Sequence, residues 1–206
     1  MDAITYGSLF LILGSTRLSV LTCCISENPG KHGFLPADAE TQEELKDYLL
    51  YEEDGHIGLF VMLGEAIKPL FYGTVTCMEV KAQGGRCVLH LEALTESYQM
   101  DLTVRNRSFQ DVAMTSHQLI QKILDPYSQS QILFSIEDKA LGQIMVQYQE
   151  TDWEFLNRVL SAYGASAYIA GNEPGIYLRV GLMDTEEDAD WDLLPYVLHR
   201  NAAPRE

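Results

Sequence analysis

Three carboxylates at alternate positions, Glu150, Asp152 and Glu154, are the side chains of this sequence best spaced for acid–base chemistry. A hydrolase that used Glu150 and Asp152 would need one carboxyl group with a raised pKa, inside a concave site. Helix initiation explains the same residues. Thr151 and Glu154 have the spacing of a capping box, and Asp152 adds negative charge to the first helical turn, where the helix dipole favours it. Because carboxylates at a helix start are usually solvated, the sequence favours a structural role and keeps the hydrolase as an alternative.

The remaining candidates for metal binding lack the required spacing. The run "DTEEDADWD", Asp184 to Asp192, has six acids in nine residues but lacks the glycine and the distal glutamate of an EF-hand, so we interpret it as a solvated linker. The histidines form neither HxxxH nor HExxH, and His117, near the start of a predicted helix, is expected on the surface. The five histidines are His32, His56, His90, His117 and His199. No metal, cofactor or catalytic residue is predicted.

The cysteines and arginines also have structural interpretations. Cys23 and Cys24 are neighbours rather than a CxxC pair, so we expect reduced, half-buried thiols in strands. A Cys77–Cys87 bridge across a hairpin stays open. The arginines at 105 and 107 are interpreted either as docking an acidic neighbour or as flanking a strand end. No nucleophile elbow, P-loop or dinucleotide fingerprint occurs.

The charge of the chain excludes several kinds of partner. The 206 residues carry a formal net charge of -16, which opposes binding to nucleic acid or to an anionic membrane surface. The same field favours basic or polar protein partners. The early apolar run "LFLIL" is far shorter than the ~20 residues that span a bilayer. The acidic start "MDAITYGSLF" is unlike a secretion signal.

The first half of the chain is predicted to be mainly β. Residues 3–26 read as two strands separated by the turn "GST", and residues 26–40 as a loop rich in Pro, Gly and Asn. Thr41 with Glu44 predicts a short capped helix that ends at Gly55.

Three further strands are predicted from Ile57 onwards. The runs "HIGLFVML", "PLFYGTVTCMEV" and "RCVLHLEAL" are rich in β-branched and aromatic residues, and Gly84-Gly85 suits a tight hairpin turn. Three consecutive antiparallel strands indicate a meander that forms part of a barrel or sandwich.

The second half of the chain is predicted to carry two capped helices. Thr115 with Gln118 starts the first, which buries one face and ends at Asp125-Pro126. "ILFSIED" predicts a short strand. The segment "VQYQETDWEFLNRVLSAYG" predicts a strand that turns into the second helix at Thr151, with Gly164 as its left-handed end. The apolar residues on the two helix faces are Leu119, Ile120, Ile123, Leu124, Leu156, Val159, Leu160 and Tyr163, with Trp153 at an edge.

This last segment resembles the signature "VQY-ETD-EFL-RL---G" of hub proteins from contractile injection systems. They include phage late control protein D, the T4-type baseplate hub and the hub portion of type VI secretion spikes (VgrG). Arg105 to Tyr127 is similar to a second family block, "SR-FQ----T--+++--+L--Y", and Leu70 to Val80 to a third. The resemblance covers roughly residues 57–170. The motif positions are Ser108, Phe109, Gln110, Thr115, Gln118, Gln147, Tyr148, Glu150, Thr151, Asp152, Trp153, Glu154, Phe155 and Leu156.

The resemblance implies an α+β, mainly β fold. Such hubs begin with a small barrel like that of tail-tube proteins, continue with an α+β insertion domain, and close with a second barrel. On this pattern residues 1–105 are the first barrel, 106–172 the insertion domain with two capped helices, and 173–206 an acidic segment that starts an incomplete second barrel. Because residues 173–206 are too few for a complete barrel and a spike, we expect either a fragment or a reduced relative.

The resemblance also implies an assembly function. Three hub chains supply two barrels each to a pseudo-hexameric ring that joins a six-fold tube to a three-fold spike. The implied partners are copies of the chain in a homotrimer, tail tube, spike and other baseplate proteins, with assembly in the cytoplasm before incorporation into a virion tail or injection particle. The alternatives are the hydrolase and a monomeric adaptor with a borrowed barrel.

Overall fold

The computed structural model describes residues 8–41, 55–83 and 86–181. Three predictions concern residues outside these ranges: the capped helix after Thr41, the Gly84-Gly85 turn and the acidic run Asp184 to Asp192. Among the described residues, no helix combines the length and apolar character that spanning a membrane requires.

Six antiparallel strands of the first half form a closed barrel in the order β1-β2-β3-β6-β5-β4, in which β1 pairs with both β2 and β4. Their bounds are β1 Leu9–Leu13, β2 Thr16–Cys23, β3 Phe34–Thr41, β4 His56–Leu63, β5 Ala66–Gln83 and β6 Arg86–Leu94. The predicted strands and meander are confirmed, and closure decides for a barrel over a sandwich. Closure also removes the exposed edges that an open sheet would leave.

The barrel interior follows from the two-residue period of its strands. Alternate residues point inwards, so that Leu89, Leu91 and Ala93 of β6 are fully buried. The interior is filled by Leu11, Leu13, Leu18, Val20, Leu35, Ala37, Ala39, Ile57, Leu59, Phe71, Leu89, Leu91 and Ala93. Gly73 of β5 allows a close approach, because a Cβ there would lie 2.2 Å from the Leu94 carbonyl oxygen.

Strand β3 corrects the loop predicted for residues 26–40. Leu35, Ala37 and Ala39 point into the barrel and alternate with half-buried or exposed neighbours. The alternation was missed because two of its three inward residues are alanines and Pro36 lies between them. Pro36 removes only a backbone donor from the ladder, and its carbonyl oxygen still accepts from the Cys24 amide at 3.2 Å.

The four cysteines are free thiols. Cys77 lies opposite Glu92 and Cys87 opposite Ala82, so the two are out of register for a cross-strand bridge. Cys23 and Cys87 are half-buried, as expected, whereas Cys24 and Cys77 are exposed.

The second half begins with a short 3-10 helix, Glu96–Asp101, and its described residues, up to 181, form two helices and five strands. The bounds are β7 Val104–Phe109, α1 Ser116–Leu124, β8 Ser130–Phe134, β9 Met145–Thr151, α2 Asp152–Ala162, β10 Ala167–Ile169 and β11 Ile176–Val180. Strands β7 and β9 form an antiparallel ribbon, while β8, β11 and β10 form a three-stranded sheet in which β11 and β8 are parallel. Both helices, β9 and a short strand overlapping β8 were predicted and are confirmed; β7, β10 and β11 were not predicted.

The first capped helix, α1, matches its prediction closely. The Thr115 side chain accepts from the Gln118 amide at 3.3 Å, and the Gln118 side chain accepts in return from the Thr115 amide at 3.1 Å. The apolar residues from Leu119 to Leu124 are fully buried, and Asp125 closes the helix before Pro126.

His117 corrects the expectation of a surface role. Its ring is half-buried and stacks on Phe134 with centroids 3.7 Å apart. Its Nε2 lies 3.1 Å from the Ile136 carbonyl oxygen, so the side chain ties α1 to the loop after β8.

The domain boundaries proposed from the sequence stay predictions. The last barrel strand ends at Leu94, and β7 starts at Val104 in a separate ribbon. Strand β11 lies between β8 and β10 in the second half of the chain.

Candidate functional site

The strand-to-helix junction lies where the sequence places it. Strand β9 ends at Thr151, and α2 begins at Asp152. The Glu154 amide donates to Thr151 Oγ1 at 3.1 Å, and the Thr151 amide donates to Glu154 Oε2 at 2.9 Å. This reciprocal pair satisfies two of the backbone amides that a helix start leaves without partners, so the predicted capping box is confirmed.

The far end of α2 is closed by Gly164, which has a φ of +64°. The Ala165 amide donates to the Leu160 carbonyl oxygen at 3.0 Å, and the Gly164 amide to that of Ser161 at 3.1 Å. These two bonds form a Schellman motif, and the left-handed residue it needs is the predicted glycine.

Asp152 is buried rather than solvated, which corrects the prediction for the carboxylates of this cluster. Its side chain has no exposed area. Oδ1 accepts from Arg107 Nη2 and, at 3.0 Å, from Gln147 Nε2. Oδ2 accepts from the Tyr127 hydroxyl at 2.8 Å and lies 2.9 Å from Arg105 Nε. A buried charge needs such partners, because burial without them costs several kcal/mol.

The two arginines reach Asp152 because β7 alternates. Arg105, Arg107 and Phe109 share the ribbon face that α2 covers, and Phe109 stacks on Phe155 with centroids 5.8 Å apart. Arg107 makes a true hydrogen bond to Asp152, whereas Arg105 Nε is close enough for charge attraction but is not aligned for a hydrogen bond. The arginines therefore bind an acidic residue of their own chain, and the interpretation as residues that only flank a strand end is wrong.

Gln147 completes the network from within β9. The residue is fully buried and was named in the sequence only as a motif position. Its Oε1 accepts from Arg107 Nε at 2.8 Å, and its Nε2 donates to Asp152 Oδ1 and to the Glu150 carbonyl oxygen, both at 3.0 Å. The amide thus holds donor and acceptor in fixed directions around the buried carboxylate.

The ionisation of the neighbouring groups also follows from their partners. Hydrogen bonds from Arg158, at 2.6 and 2.7 Å, hold the pKa of the Glu150 carboxyl below its ordinary value, although partial burial acts the other way. Burial, helped by the hydrogen bond to Asp152, raises the pKa of Tyr127 to about 12. At neutral pH the first shift keeps Glu150 ionised beside Arg158, and the second keeps the Tyr127 hydroxyl protonated, so that it can donate to Asp152.

A second set of bonds fastens the junction to residues beside the barrel. Thr151 Oγ1 donates to Asp101 Oδ1 at 2.5 Å, and Asp101 Oδ2 lies 2.8 Å from His32 Nε2. His32 Nδ1 lies 2.9 Å from Ser97 Oγ. The His32 ring packs on Trp153, with centroids 4.5 Å apart, so the loop before β3 rests on α2.

The other motif positions divide into buried and exposed residues. Phe155 and Leu156 are fully buried, and Trp153 is 5% exposed. Ser108 and Gln110 are exposed and share a hydrogen bond of 3.3 Å. Tyr148 is 68% exposed, and its side chain takes no part in the network. The structure therefore brings together Gln147, Thr151, Asp152 and Glu154, but not every position of the motif.

Tyr127 and Asp101 are network residues that sequence reasoning did not single out. They lie 25 and 50 residues from the atoms they contact, so no local pattern marks them. One usable signal was available: two arginines two positions apart in a strand lie on one face, where a single acidic side chain can pair with both.

This arrangement is poorly suited to acid–base catalysis. Asp152 has no exposed surface for a substrate, and the shift at Glu150 is opposite to that of a general acid. Among the described residues, no group of three or more His, Cys, Asp or Glu side chains is arranged to hold a metal ion. What the geometry does provide is a fixed angle between the ribbon and α2.

Among the solved structures with a similar fold are tail and secretion proteins. The tail protein from Neisseria meningitidis MC58 matches with a TM-score of 0.60 and 14% identity, over 84% of this chain and 51% of that chain. The 43 kDa tail protein of prophage MuSo2 from Shewanella oneidensis matches with a TM-score of 0.63 and 11% identity, over 84% of this chain and 53% of that chain. The E. coli c3393 protein matches with a TM-score of 0.55 and 15% identity, over 81% of this chain and 49% of that chain. It is a component of the type VI secretion system with structural similarity to the T4 bacteriophage tail proteins gp27 and gp5. The chain spans about half the length of these proteins.

Sequence comparison leads to the same group. No curated protein sequence matches the chain significantly. The family model of the phage tail baseplate hub (GPD) matches residues 59–188, which include most of β4, all of β5 to β11 and the whole buried network. Because this match covers more than half of the 206 residues, the chain belongs to the phage tail baseplate hub family.

Proposed function

We propose that this chain is a structural part of the baseplate hub of a contractile injection machine, in a phage tail or a related particle. Its work is assembly: the barrel supplies a rigid wall element, and the junction at Thr151 holds the second half of the chain against it. The family membership and the fold likeness to tail proteins support this function.

The observation that carries the proposal is the sealed carboxylate. Asp152 is the most completely buried acid of the signature, and its partners come from β7, β9 and the loop after α1. A group that four neighbours hold in this way fixes geometry and presents no exposed surface to a substrate. This burial favours the structural hub over the hydrolase alternative.

We further propose that three copies associate and that tail tube, spike and other baseplate proteins are the partners, assembled in the cytoplasm. Sedimentation of the purified chain at several concentrations tests the first step. We expect a species of three times the 23.2 kDa chain mass, with ring-shaped particles in electron micrographs. A single 23.2 kDa species at every concentration would contradict trimer formation and favour the monomeric adaptor.

A further inference from the structure

A second buried carboxylate, that of Glu96, lies where the second half of the chain meets the barrel. Glu96 begins the 3-10 helix and is 8% exposed. Its Oε1 accepts from the Thr74 hydroxyl at 2.8 Å and lies 3.0 Å from His56 Nδ1, and its Oε2 accepts from Gln99 Nε2. Because a carboxylate can accept about four hydrogen bonds, Oε2 has room for a further donor.

Glu96 differs from Asp152 in the charge of its partners. Asp152 lies beside two arginines of its own chain, whereas no described lysine or arginine comes within ion-pair distance of Glu96. Of the side chains that contact Glu96 among the described residues, only His56 can carry positive charge, and it is 66% exposed. Because a buried charge is stabilised by a close opposite charge, Glu96 favours a cation from another molecule.

The Glu96 side chain lines a cavity between the barrel and the second half, which we call the Glu96 cavity. Its volume is about 440 Å³, within the range of about 300–1,000 Å³ that ligand pockets occupy. The lining includes two barrel residues, two residues of the 3-10 helix and two from loops of the second half, namely His56, Tyr72, Glu96, Gln99, Gln129 and Gly175. The cavity therefore exists only where the two halves meet.

The second-half wall of the Glu96 cavity has a constrained backbone. Gln129 and Gly175 are both left-handed, with φ of +59° and +82°. A Cβ at position 175 would lie 2.4 Å from the Gln129 carbonyl oxygen, which accepts from the Ile176 amide at 3.2 Å. A left-handed conformation is uncommon for a residue other than glycine, and such positions cluster at binding sites.

The barrel wall of the cavity ends a row of aromatic rings. Phe10 stacks on Phe60 with centroids 5.5 Å apart, and Phe60 meets Tyr72 edge to face, also at 5.5 Å. At one end of the row the Arg17 guanidinium lies over Phe10, 3.8 Å from the ring centroid. At the other end Tyr72 lines the same cavity as Glu96. An aromatic ring and a carboxylate are the two groups that an arginine side chain recognises.

We infer that the Glu96 cavity binds the guanidinium group of an arginine from a partner protein, with Glu96 as the counter-charge and Tyr72 as the wall. Arginine is favoured over lysine because its planar group stays charged and can stack on a ring while it donates to a carboxylate. Oε2 is the acceptor, because Oε1 already has two partners. The inference rests on the proposed assembly function for the source of the arginine, and extends it by naming the group that a partner inserts.

A titration with a capped amino acid tests the inference. The probe is Nα-acetyl-arginine methylamide, and the matched control is the corresponding capped citrulline, which has nearly the same shape without the charge. Amide chemical shifts of the full chain measure the affinity and locate the site, at protein concentrations below those of self-association. We expect shifts at Tyr72, Glu96 and Gln99, and at least tenfold weaker binding of the citrulline probe.

Variants of the chain assign the two roles. Glu96→Gln keeps the size of the side chain and removes its charge, so it should weaken binding of the arginine probe at least tenfold. Tyr72→Leu removes the ring and should weaken binding about two- to fivefold, the usual size of a cation–π contribution at an exposed site. Glu65→Gln removes the same charge from an exposed turn of the barrel and should leave the affinity unchanged. The amide spectrum of each variant shows whether it is folded, and the citrulline comparison needs no variant.

Equal affinity for the arginine and citrulline probes, or shifts located elsewhere, would overturn the inference. Tighter binding of the arginine probe after replacement of Lys46, Arg200 and Arg205 by glutamine would also overturn it. The cation would then come from this chain itself, because these three residues lie outside the described ranges.

Sedimentation identifies the source of the arginine. A trimer that Glu96→Gln dissociates would mean that a second copy supplies it, and a trimer that the variant leaves intact would mean that another protein does; the inference stands in both cases. Binding of the arginine probe by a chain that stays monomeric at every concentration would contradict trimer formation alone. Failure of the trimer and failure of the Glu96 cavity therefore give different results.

Discussion

The interior of the barrel is made of leucine, valine, isoleucine, phenylalanine and alanine, whereas the junction at Thr151 buries Asp152 and Gln147 together with half-buried arginines. Among the described residues, every fully buried polar side chain lies outside the six barrel strands. Apolar packing depends on volume and tolerates substitution by residues of similar size. A buried carboxylate depends on direction, since each oxygen needs particular donors. The barrel can therefore vary in sequence at constant shape, while the junction holds one geometry.

The largest expected effects come from the two cores. Phe71→Ala in the barrel and Phe155→Ala in α2 each remove a fully buried ring, and each should lower the free energy of unfolding by about 3–5 kcal/mol. Urea denaturation measures both losses. A loss below about 1 kcal/mol for either variant would mean that its region contributes little to global stability.

The carboxylate itself distinguishes the two regions most clearly. Asp152→Asn keeps the volume but removes the charge that faces two arginines, and we expect a loss of about 2–3 kcal/mol, reduced from the full buried-pair value because both arginines are partly exposed. Leu91→Met changes the shape of a fully buried side chain in the barrel and keeps its approximate volume. It should lower the free energy of unfolding by less than about 1.5 kcal/mol. If urea denaturation showed a larger loss of stability for Leu91→Met than for Asp152→Asn, the contrast between the two regions would be wrong.

The two helix caps offer a matched pair within the second half. Thr115→Ala should cost about 1 kcal/mol, the usual value for a lost cap. Thr151→Ala should cost about 2 kcal/mol, because this hydroxyl also donates to Asp101. Thermal unfolding of both variants measures the difference; equal losses would show that the link to Asp101 contributes nothing.

Tyr127 predicts how stability changes in alkali. Its folded pKa, about 12, lies above the ordinary value of 10, so the folded state holds the proton more tightly. The stability that this shift contributes is complete below pH 10 and is lost as the pH rises towards 12. Tyr127→Phe should lower the free energy of unfolding by about 1 kcal/mol at neutral pH and flatten its decline between pH 10 and 12. An unchanged alkaline slope would contradict the hydrogen bond to Asp152.

The smallest expected effect concerns Glu150, whose partner Arg158 is largely exposed. Because the folded pKa of Glu150 is lowered, its contribution is present above its ordinary value of 4.5 and is lost as the pH falls through the folded pKa. Glu150→Gln should cost about 0.2–1 kcal/mol at pH 7 and nothing in strong acid. Denaturation in urea at pH 7 and in strong acid measures the stability cost of Glu150→Gln. A cost that is the same at both pH values would exclude the ion pair as the cause of that loss.

Local pattern was sufficient to predict most of the fold. Alternation predicted the strands from Ile57 onwards, and the pairs Thr115–Gln118 and Thr151–Glu154 predicted both helix starts, because capping acts over three residues. Strand β3 was missed because alanines carry little hydrophobic signal. Strands β10 and β11 were missed because both are short and β11 pairs in parallel with the distant β8.

The buried network was beyond local pattern. Capping accounted for Thr151 and Glu154, but the same logic made Asp152 appear solvated. Its arginine and tyrosine partners lie between 25 and 47 residues away in the chain, and only the tertiary fold brings them to it. Burial of a charge is decided by such distant partners, so the sequence of the cluster alone gave the opposite expectation.

A double-mutant cycle on Asp152 and Arg107 tests the central claim most directly, namely that the signature carboxylate acts by pairing inside the fold. Free energies of unfolding are measured for the unmodified chain, Asp152→Asn, Arg107→Met and the double variant. We predict a coupling energy of about 1–3 kcal/mol, with the double variant less destabilised than the sum of the single ones. Losses that add within about 0.5 kcal/mol would show that the two groups do not stabilise one another and would contradict the account.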